Sequence, residues 1–187
     1  MSAINTLVLA SGGIDSTAAI AVYLAKGFAV EALFVDYGQA AAKCELSAIS
    51  QIVRHYQIPL TAISCGGLGR YSVGLVRGRN AFLLQCGLMA FRGSAGVIAI
   101  GVHAGTGYAD CSPEFIARMT QVFDLYSDGK VTIGTPFLHW DKANIITFCR
   151  AHEVPLELTY SCETGAPMPC GVCQTCKGLE ELYAVAR

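Results

Sequence analysis

"LVLASGGIDSTAA", Leu7 to Ala19, decides how this chain is read. It starts as an apolar run, breaks at Ser11-Gly12-Gly13, and resumes after Asp15-Ser16-Thr17 with the small residues of a helix. A strand that ends in small residues just before a helix makes an anion site, because unpaired backbone N–H groups and the helix dipole converge there. The neighbouring sequence supplies the rest of a βαβ unit. "AVEALFVDY" (Ala29 to Tyr37) is a second buried strand, and Ser16 to Lys26, with Gly27 just beyond, reads as the crossover helix.

The alternation continues along the chain. Ala41 to Tyr56 has helical spacing, "LTAIS" (Leu60 to Ser64) is a strand, and a glycine-rich loop runs from Cys65 to Gly78. "NAFLLQCGLMAF" then reads as a buried helix and "GVIAIGV" as an all-apolar strand. Ser112 and Pro113 open a further helix as cap and first-turn residue. A strand near Thr132 to Phe137 and a helix from about Asp141 to His152 complete the series. Strands alternating with helices predict an α/β fold with a doubly wound parallel sheet. After Pro155 the composition shifts to cysteine, glycine and proline, followed by a short terminal helix, so residues 1–155 form the α/β domain and 156–187 an appendage packed on it.

Composition limits the function. The 187 residues, 53% hydrophobic, suit one buried core. A formal net charge of −1, from 13 basic and 14 acidic residues, supplies no field for generic nucleic-acid binding, so a small molecule or a local protein surface is the expected partner. No apolar stretch approaches the roughly 20 residues of a membrane helix. The N-terminal "MSAINTLVLA" lacks the basic start of a secretory signal. A cytoplasmic protein with reduced thiols follows, since nine cysteines is an odd number and the chain is large enough to need no disulfide staples.

The loop at Ser11 is neither a Walker A sequence nor Gly-x-Gly-x-x-Gly. Ser-Gly-Gly-x-Asp-Ser instead resembles the PP-loop of ATP pyrophosphatases, which cut ATP between its α and β phosphates. Glycines let the backbone approach the polyphosphate, Ser11 and Ser16 offer hydroxyls, and Asp15 would hold Mg2+ or order the loop. An ordinary Gly-Gly turn is the bland alternative for so short a motif.

Cys162, Cys170, Cys173 and Cys176 have the spacing Cys-x7-Cys-x2-Cys-x2-Cys. Thiolates two residues apart on a tight turn take adjacent corners of a tetrahedron, and four of them close a structural zinc site. An iron–sulfur cluster is the competing reading. Cys44, Cys65, Cys86, Cys111 and Cys149 stand mostly in apolar contexts, as small buried hydrophobes do.

The PP-loop, the cysteine knot, "FVDYGQ" (Phe34 to Gln39), "GRN" (Gly78 to Asn80), "GYADCSPEF" (Gly107 to Phe115) and "LTYSCETG…CGVCQTC" together resemble the QueC family of 7-cyano-7-deazaguanine synthases across nearly the whole chain. The resemblance implies a Rossmann-like adenylating enzyme of the PP-loop/HUP type, with structural Zn2+, ATP and Mg2+, often a homodimer. Such an enzyme adenylates 7-carboxy-7-deazaguanine, adds ammonia to give the amide, and activates the amide again to form the nitrile, as in queuosine biosynthesis. Carried over by motif, Ser11, Gly12, Gly13, Asp15, Ser16 and Thr17 would bind the ATP phosphates, and Phe34, Val35 and Asp36 the nucleoside. Arg79 and Asn80 would reach the phosphate or acyl group, and Lys142 the developing pyrophosphate, although a lysine on a helix face is by default only solvated. Asp110 would accept from the amino-pyrimidine edge, with Tyr108, Tyr37 and Gln39 bordering the base.

The chain departs from that family in three places. The loop from Cys65 to Gly78 is short, and Arg77 stands where the family has proline before Gly-Arg-Asn. "GVHAGTGYADCS" is also short and lacks the usual acidic residue, with His103 in that region. Ala109 to Ser112 is Ala-Asp-Cys-Ser where Pro-Asp-Cys-Arg is usual. Trimmed loops open the mouth of the site, so an amine of a partner protein, as in QueC-like proteins of anti-phage defence, is the alternative acceptor to ammonia. Thiolation of tRNA on the same core is disfavoured by the absence of a basic stripe. A nucleotide-binding module without turnover is disfavoured by the intact Ser-Gly-Gly-x-Asp-Ser.

Overall fold

The computed structural model describes residues 3–71 and 74–185, the last five of these as backbone only. Five parallel strands, β1 (Asn5–Leu9), β2 (Ala29–Asp36), β3 (Leu60–Ser64), β4 (Gly96–Ala99) and β5 (Val131–Gly134), form one sheet in the order β3-β2-β1-β4-β5. Helices α1 (Ile14–Ala25), α2 (Ala42–Tyr56), α3 (Arg79–Ala90), α4 (Pro113–Ser127), α5 (Lys142–Ala151) and α6 (Gln174–Val185) complete the chain. The doubly wound α/β fold expected from the alternation is what forms.

Side chains of β1 alternate between two cores, as a strand buried on both faces requires. Val8 packs with Ile20, Phe34, Ile49, Phe137 and Ile145 under α1, α2 and α5. Leu7 and Leu9 pack with Leu84, Ile98, Met119 and Phe123 under α3 and α4. Phe34, Phe123 and Phe137 are almost wholly buried, and such side chains each contribute about 1.5–3 kcal/mol through burial. Leu179 of α6, with Leu156 and Leu158 ahead of the cysteine knot, docks on the first of these cores.

The order of the strands reverses between β1 and β4, and at such a switch point a doubly wound sheet opens a crevice beyond its carboxyl ends. Two strands stop earlier than their apolar runs predict. β4 ends at Ala99 rather than continuing to Val102, because Gly101 turns against α1: a Cβ there would lie 3.0–3.2 Å from Asp15. β5 ends at Gly134 rather than Phe137, where a turn closed by Leu138 N–H on the Thr135 carbonyl starts the approach to α5. The apolar residues beyond both ends are buried all the same, as packing for the loops that build the crevice.

Candidate active site

Helix α1 begins at the crevice. Gly12 has φ +78°, and a Cβ on it would meet the Ile49 nitrogen at 2.8 Å and the Glu45 carbonyl at 2.9 Å, so the loop is pressed onto α2. No side chain caps α1. By contrast, Ser112 Oγ accepts from Phe115 N–H at the head of α4 and Asp141 Oδ1 from Asn144 N–H at the head of α5. The first-turn amides of α1 thus carry no side-chain cap, as at α2 and α3, and are open to an anion. The Ser16 and Thr17 hydroxyls, both buried, donate to the Gly13 carbonyl at 3.1 and 2.8 Å, which closes the turn; Ser11 is the exposed hydroxyl of the loop.

Asp15 sits between a lysine and a histidine. Lys142 Nζ donates to its Oδ1 at 2.5 Å, and His103 Nε2 stands 3.9 Å from its Oδ2. His103 is buried, and its Nδ1 accepts the Gly105 N–H at 3.1 Å. Burial holds its pKa below the ordinary 6.5, against the pull of Asp15, so the ring is neutral at neutral pH. Lys142 is delivered by a packed aromatic loop: Phe137 and Trp140 rings lie 5.3 Å apart, Trp140 and Phe148 rings 5.9 Å. It occupies the first position of α5, and Arg79 the first position of α3. A cation there opposes the helix dipole; at α5 the Asp141 cap and the Asp15 carboxylate offset it, whereas the first turn of α3 holds no acidic residue.

The other half of the crevice lies beyond β2 and β3. Asp36 Oδ1 accepts Gly38 N–H at 2.9 Å, and Gln39 Oε1 accepts Tyr37 N–H at 2.9 Å. Gln39 Nε2 donates to the Val35 carbonyl at 3.2 Å and to Glu45 Oε2 at 2.8 Å. Its amide hydrogens are thus both engaged inside the protein. Burial raises the Glu45 pKa above 4.5, countered by the Gln39 hydrogen bond and by Arg79. Burial also raises Tyr37, with Arg79 beside its hydroxyl pulling the other way. The Tyr37 and Tyr71 rings stand 5.8 Å apart. Asn80 is buried, and its Nδ2 donates to the Asp110 carbonyl at 3.0 Å and lies 3.6 Å from Cys111 Sγ; its backbone N–H reaches Asp110 Oδ2 at 3.4 Å. Tyr108 packs against the core under α3 and α4.

Phe34 and Val35 do not present side chains to the crevice. They are 2% and 6% exposed and fill opposite cores, because residues of a central strand alternate between its faces, and only their main chain faces the strand's end. Four further groups border the crevice without being site residues on sequence grounds. Glu45 and Tyr71 belong to no motif that predicts them, Ser161 lies inside the quoted "LTYSCETG" without a role assigned to it there, and His103 stands out in the sequence only as a departure from the family pattern. Of the four, that histidine and Ser161 are the two the sequence brings into view.

Cys162, Cys170, Cys173 and Cys176 come together with all four sulfurs within 4.8 Å of one another. Bonds of about 2.3 Å to a tetrahedral ion give sulfur–sulfur edges of about 3.8 Å, so a small contraction seats one ion. A cubane places an iron between each thiolate and the centre and needs them farther apart. Backbone N–H groups of Cys170, Cys173 and Cys176 donate to the sulfurs of Cys162, Cys170 and Cys173 at 3.3–3.4 Å, which favours thiolates. The knot is anchored on the Ser11–Gly13 loop, with Tyr160 N–H donating to the Gly12 carbonyl at 2.9 Å.

The family model described as "Queuosine biosynthesis protein QueC" matches residues 5–72 and 69–185. The chain belongs to the QueC family. Its relatives include proteins named 7-cyano-7-deazaguanine synthase from Acetivibrio thermocellus, 35% identical over 95% of this chain and 93% of that one, and from Synechococcus sp. (strain CC9605), 31% identical over 95% and 91%. The first alignment runs over 208 residues, so relatives carry segments that this chain of 187 lacks. The two family matches meet inside the short loop from Cys65 to Gly78. Among solved structures, the U34-tRNA thiolase NcsA from Methanococcus maripaludis with its [4Fe-4S] cluster shares the fold at TM-score 0.57 and 14% identity, over 99% of this chain and 66% of that one. A 4-thiouridine synthetase in complex with RNA and bound ATP does so at TM-score 0.53 and 18% identity, over 97% and 50%. No helix among the described residues is long and apolar enough to cross a membrane.

Proposed function

We propose that this chain is an ATP-dependent carbon–nitrogen ligase acting on 7-carboxy-7-deazaguanine, with ammonia as the acceptor, and that it yields first the amide and then 7-cyano-7-deazaguanine. The observation that carries the reading is the pair of cations, Lys142 and Arg79, placed against their helix dipoles beside an uncapped α1. Open α1 amides, Arg79, and Lys142 held on Asp15 come to one end of the sheet, which suits a polyphosphate that is being cut.

The α1 amides and the Ser11–Gly13 backbone hold the phosphates. Mg2+, with Asp15 as its protein ligand, would neutralise charge on the phosphate oxygens when bound. A substrate carboxylate oxygen bonds to the α phosphorus as the bond from that phosphorus to the β-bridging oxygen breaks, and Lys142 stabilises the departing pyrophosphate. Neutral ammonia then adds to the acyl carbon, AMP leaves with the bonding electrons, and the surplus proton passes to water. Activating the amide oxygen in the same way, then losing AMP and both amide protons, gives the nitrile. Asp110, its Oδ1 uncommitted among the described residues, accepts from the amino-pyrimidine edge, and Tyr37 and Tyr108 border the base. Zn2+ in the four-cysteine knot is structural, since four thiolates leave no position open for chemistry. Residues 1–155 act as the ATP-binding domain, 156–187 as its appendage, in a cytoplasmic homodimer.

Exchange of labelled pyrophosphate into ATP tests the first step. It is expected only with 7-carboxy-7-deazaguanine present, and exchange that no deazaguanine acid stimulates would overturn the substrate. The missing segments favour a second acceptor, an amine of a partner protein, because a shorter rim admits a larger nucleophile. Mass spectrometry after incubation with ammonia, or with proteins of neighbouring genes, separates nitrile from conjugate.

A further inference from the structure

We propose that Ser161, on the strand of chain that enters the cysteine knot, donates its hydroxyl to the nucleotide phosphates, so that the metal-bearing tail completes the nucleotide loop. The inference rests on the ATP reading of the crevice.

Two segments far apart in sequence meet at Gly13. A Cβ built there would stand 3.5 Å from Ser11 Oγ, 3.6 Å from the Tyr160 carbonyl and 3.8 Å from Ser161 Oγ. Hydroxyls from the loop and from the tail thus flank the residue that opens α1. The approach is fixed on both sides. Upstream, Tyr160 N–H is bonded to the Gly12 carbonyl at 2.9 Å. Downstream, Cys162 is part of the knot, the Tyr160 hydroxyl donates to the Ala166 carbonyl at 2.7 Å, and Cys44 Sγ on α2 lies 3.4 Å from the Gly165 carbonyl.

The hydroxyls nearest the helix start differ in what they have left to give. Ser16 and Thr17 spend their protons on Gly13. Ser161 is half-buried and makes no hydrogen bond among the described residues. A neutral donor at this place suits phosphate oxygens, and it gives the knot a task in the reaction: holding Ser161 over the loop without touching the nucleotide. Removing the metal should therefore weaken ATP binding.

The test uses the full-length, metal-loaded protein with Ser161→Ala and Ser161→Thr. Bound metal per chain, melting temperature, ATP Kd by calorimetry, and KM for ATP and for the deazaguanine acid are measured. Loss of one hydrogen bond to a charged group predicts a rise of about tenfold in ATP Kd for the alanine variant. Metal content, melting temperature and KM for the acid stay at wild-type values, and threonine restores affinity to within about twofold of wild type. An alanine variant whose ATP Kd stays within about twofold of wild type overturns the proposal, as does one that loses metal together with ATP, since the residue would then act on the knot. If the wild-type protein itself binds no ATP, the underlying ATP reading fails, which is a separate result.

Discussion

Ser11 to Thr17 lie within seven consecutive residues, whereas Tyr37, Gln39, Tyr71, Arg79, Asn80 and Asp110 reach the other side of the crevice from separate loops and helix ends. The two halves also differ in what their polar groups are doing. At the phosphate half, α1 is uncapped and the Ser11 and Ser161 hydroxyls remain exposed or unpartnered among the described residues. At the base half, Gln39 and Asn80 have committed their amide hydrogens to neighbouring backbone, thiol and carboxylate groups. On the proposed reading the phosphate half joins open amides and hydroxyls to a Lys142 already held on Asp15, whereas the base half spends its side-chain amide hydrogens on its own frame.

Lys142→Ala puts the greatest strain on that contrast. Under the proposed mechanism it removes a charge that stabilises the transition state, and losses of this kind are on the order of 10²–10³ in rate. Pyrophosphate exchange should fall by that factor while the KM for the deazaguanine acid changes little. A loss confined to ATP KM would make Lys142 a binding group and weaken the contrast. Asn80→Ala is the matching cut in the base half. It leaves the part-buried Asp110 carbonyl without its donor and should cost about 1 kcal/mol of stability. It should also raise KM for the acid and leave ATP Kd near wild type, which thermal melts and ATP titrations would check.

How far each half could be read from sequence follows from the same difference. The nucleotide loop and the cysteine spacing are local, because the residues that act together are neighbours in the chain, and both assemble as their spacing requires. Ser16 shows the limit even there. A serine in a helix's first turn can bond back to the carbonyl three residues earlier, and this one does. Phe34 and Val35 sit in a quoted motif, yet strand alternation sends their side chains into the cores. Glu45 and His103 meet the site only through tertiary packing of α2 and of the loop after β4, which no spacing rule encodes.

Gln39→Ala separates scaffolding from recognition within the base half. If Gln39 shapes the turn, the variant should lose its bond to Glu45, melt a few degrees lower, as about 1 kcal/mol does in a chain of this size, and raise KM for the acid only a fewfold. A KM rise of a hundredfold with unchanged melting would instead mean that Gln39 touches the base directly.

Glu45→Gln produces the smallest effect, and its sign decides what holds the base half together. Burial raises the Glu45 pKa in the folded protein above its ordinary 4.5, outweighing the Gln39 hydrogen bond and Arg79, which both lower it. Between pH 4.5 and that raised value the folded chain binds more protons than the unfolded one, so this group's contribution to stability falls as pH rises through the window. Above that window the ionised carboxylate is a net cost. A glutamine keeps an oxygen for the Gln39 Nε2 donor and carries no charge to desolvate, so the variant should melt higher than wild type at pH 7 and show no difference below pH 4.5. Arg79 would lose a carboxylate neighbour, and KM for the acid should rise about two- to fivefold, a fraction of the energy of one charged hydrogen bond. Stability gained and substrate affinity lost in one substitution would mark Glu45 as kept for the site. A lower melting point at pH 7 would instead mean that attraction to Arg79 outweighs the desolvation of the carboxylate, and the base half would then be held by charge much as the phosphate half is.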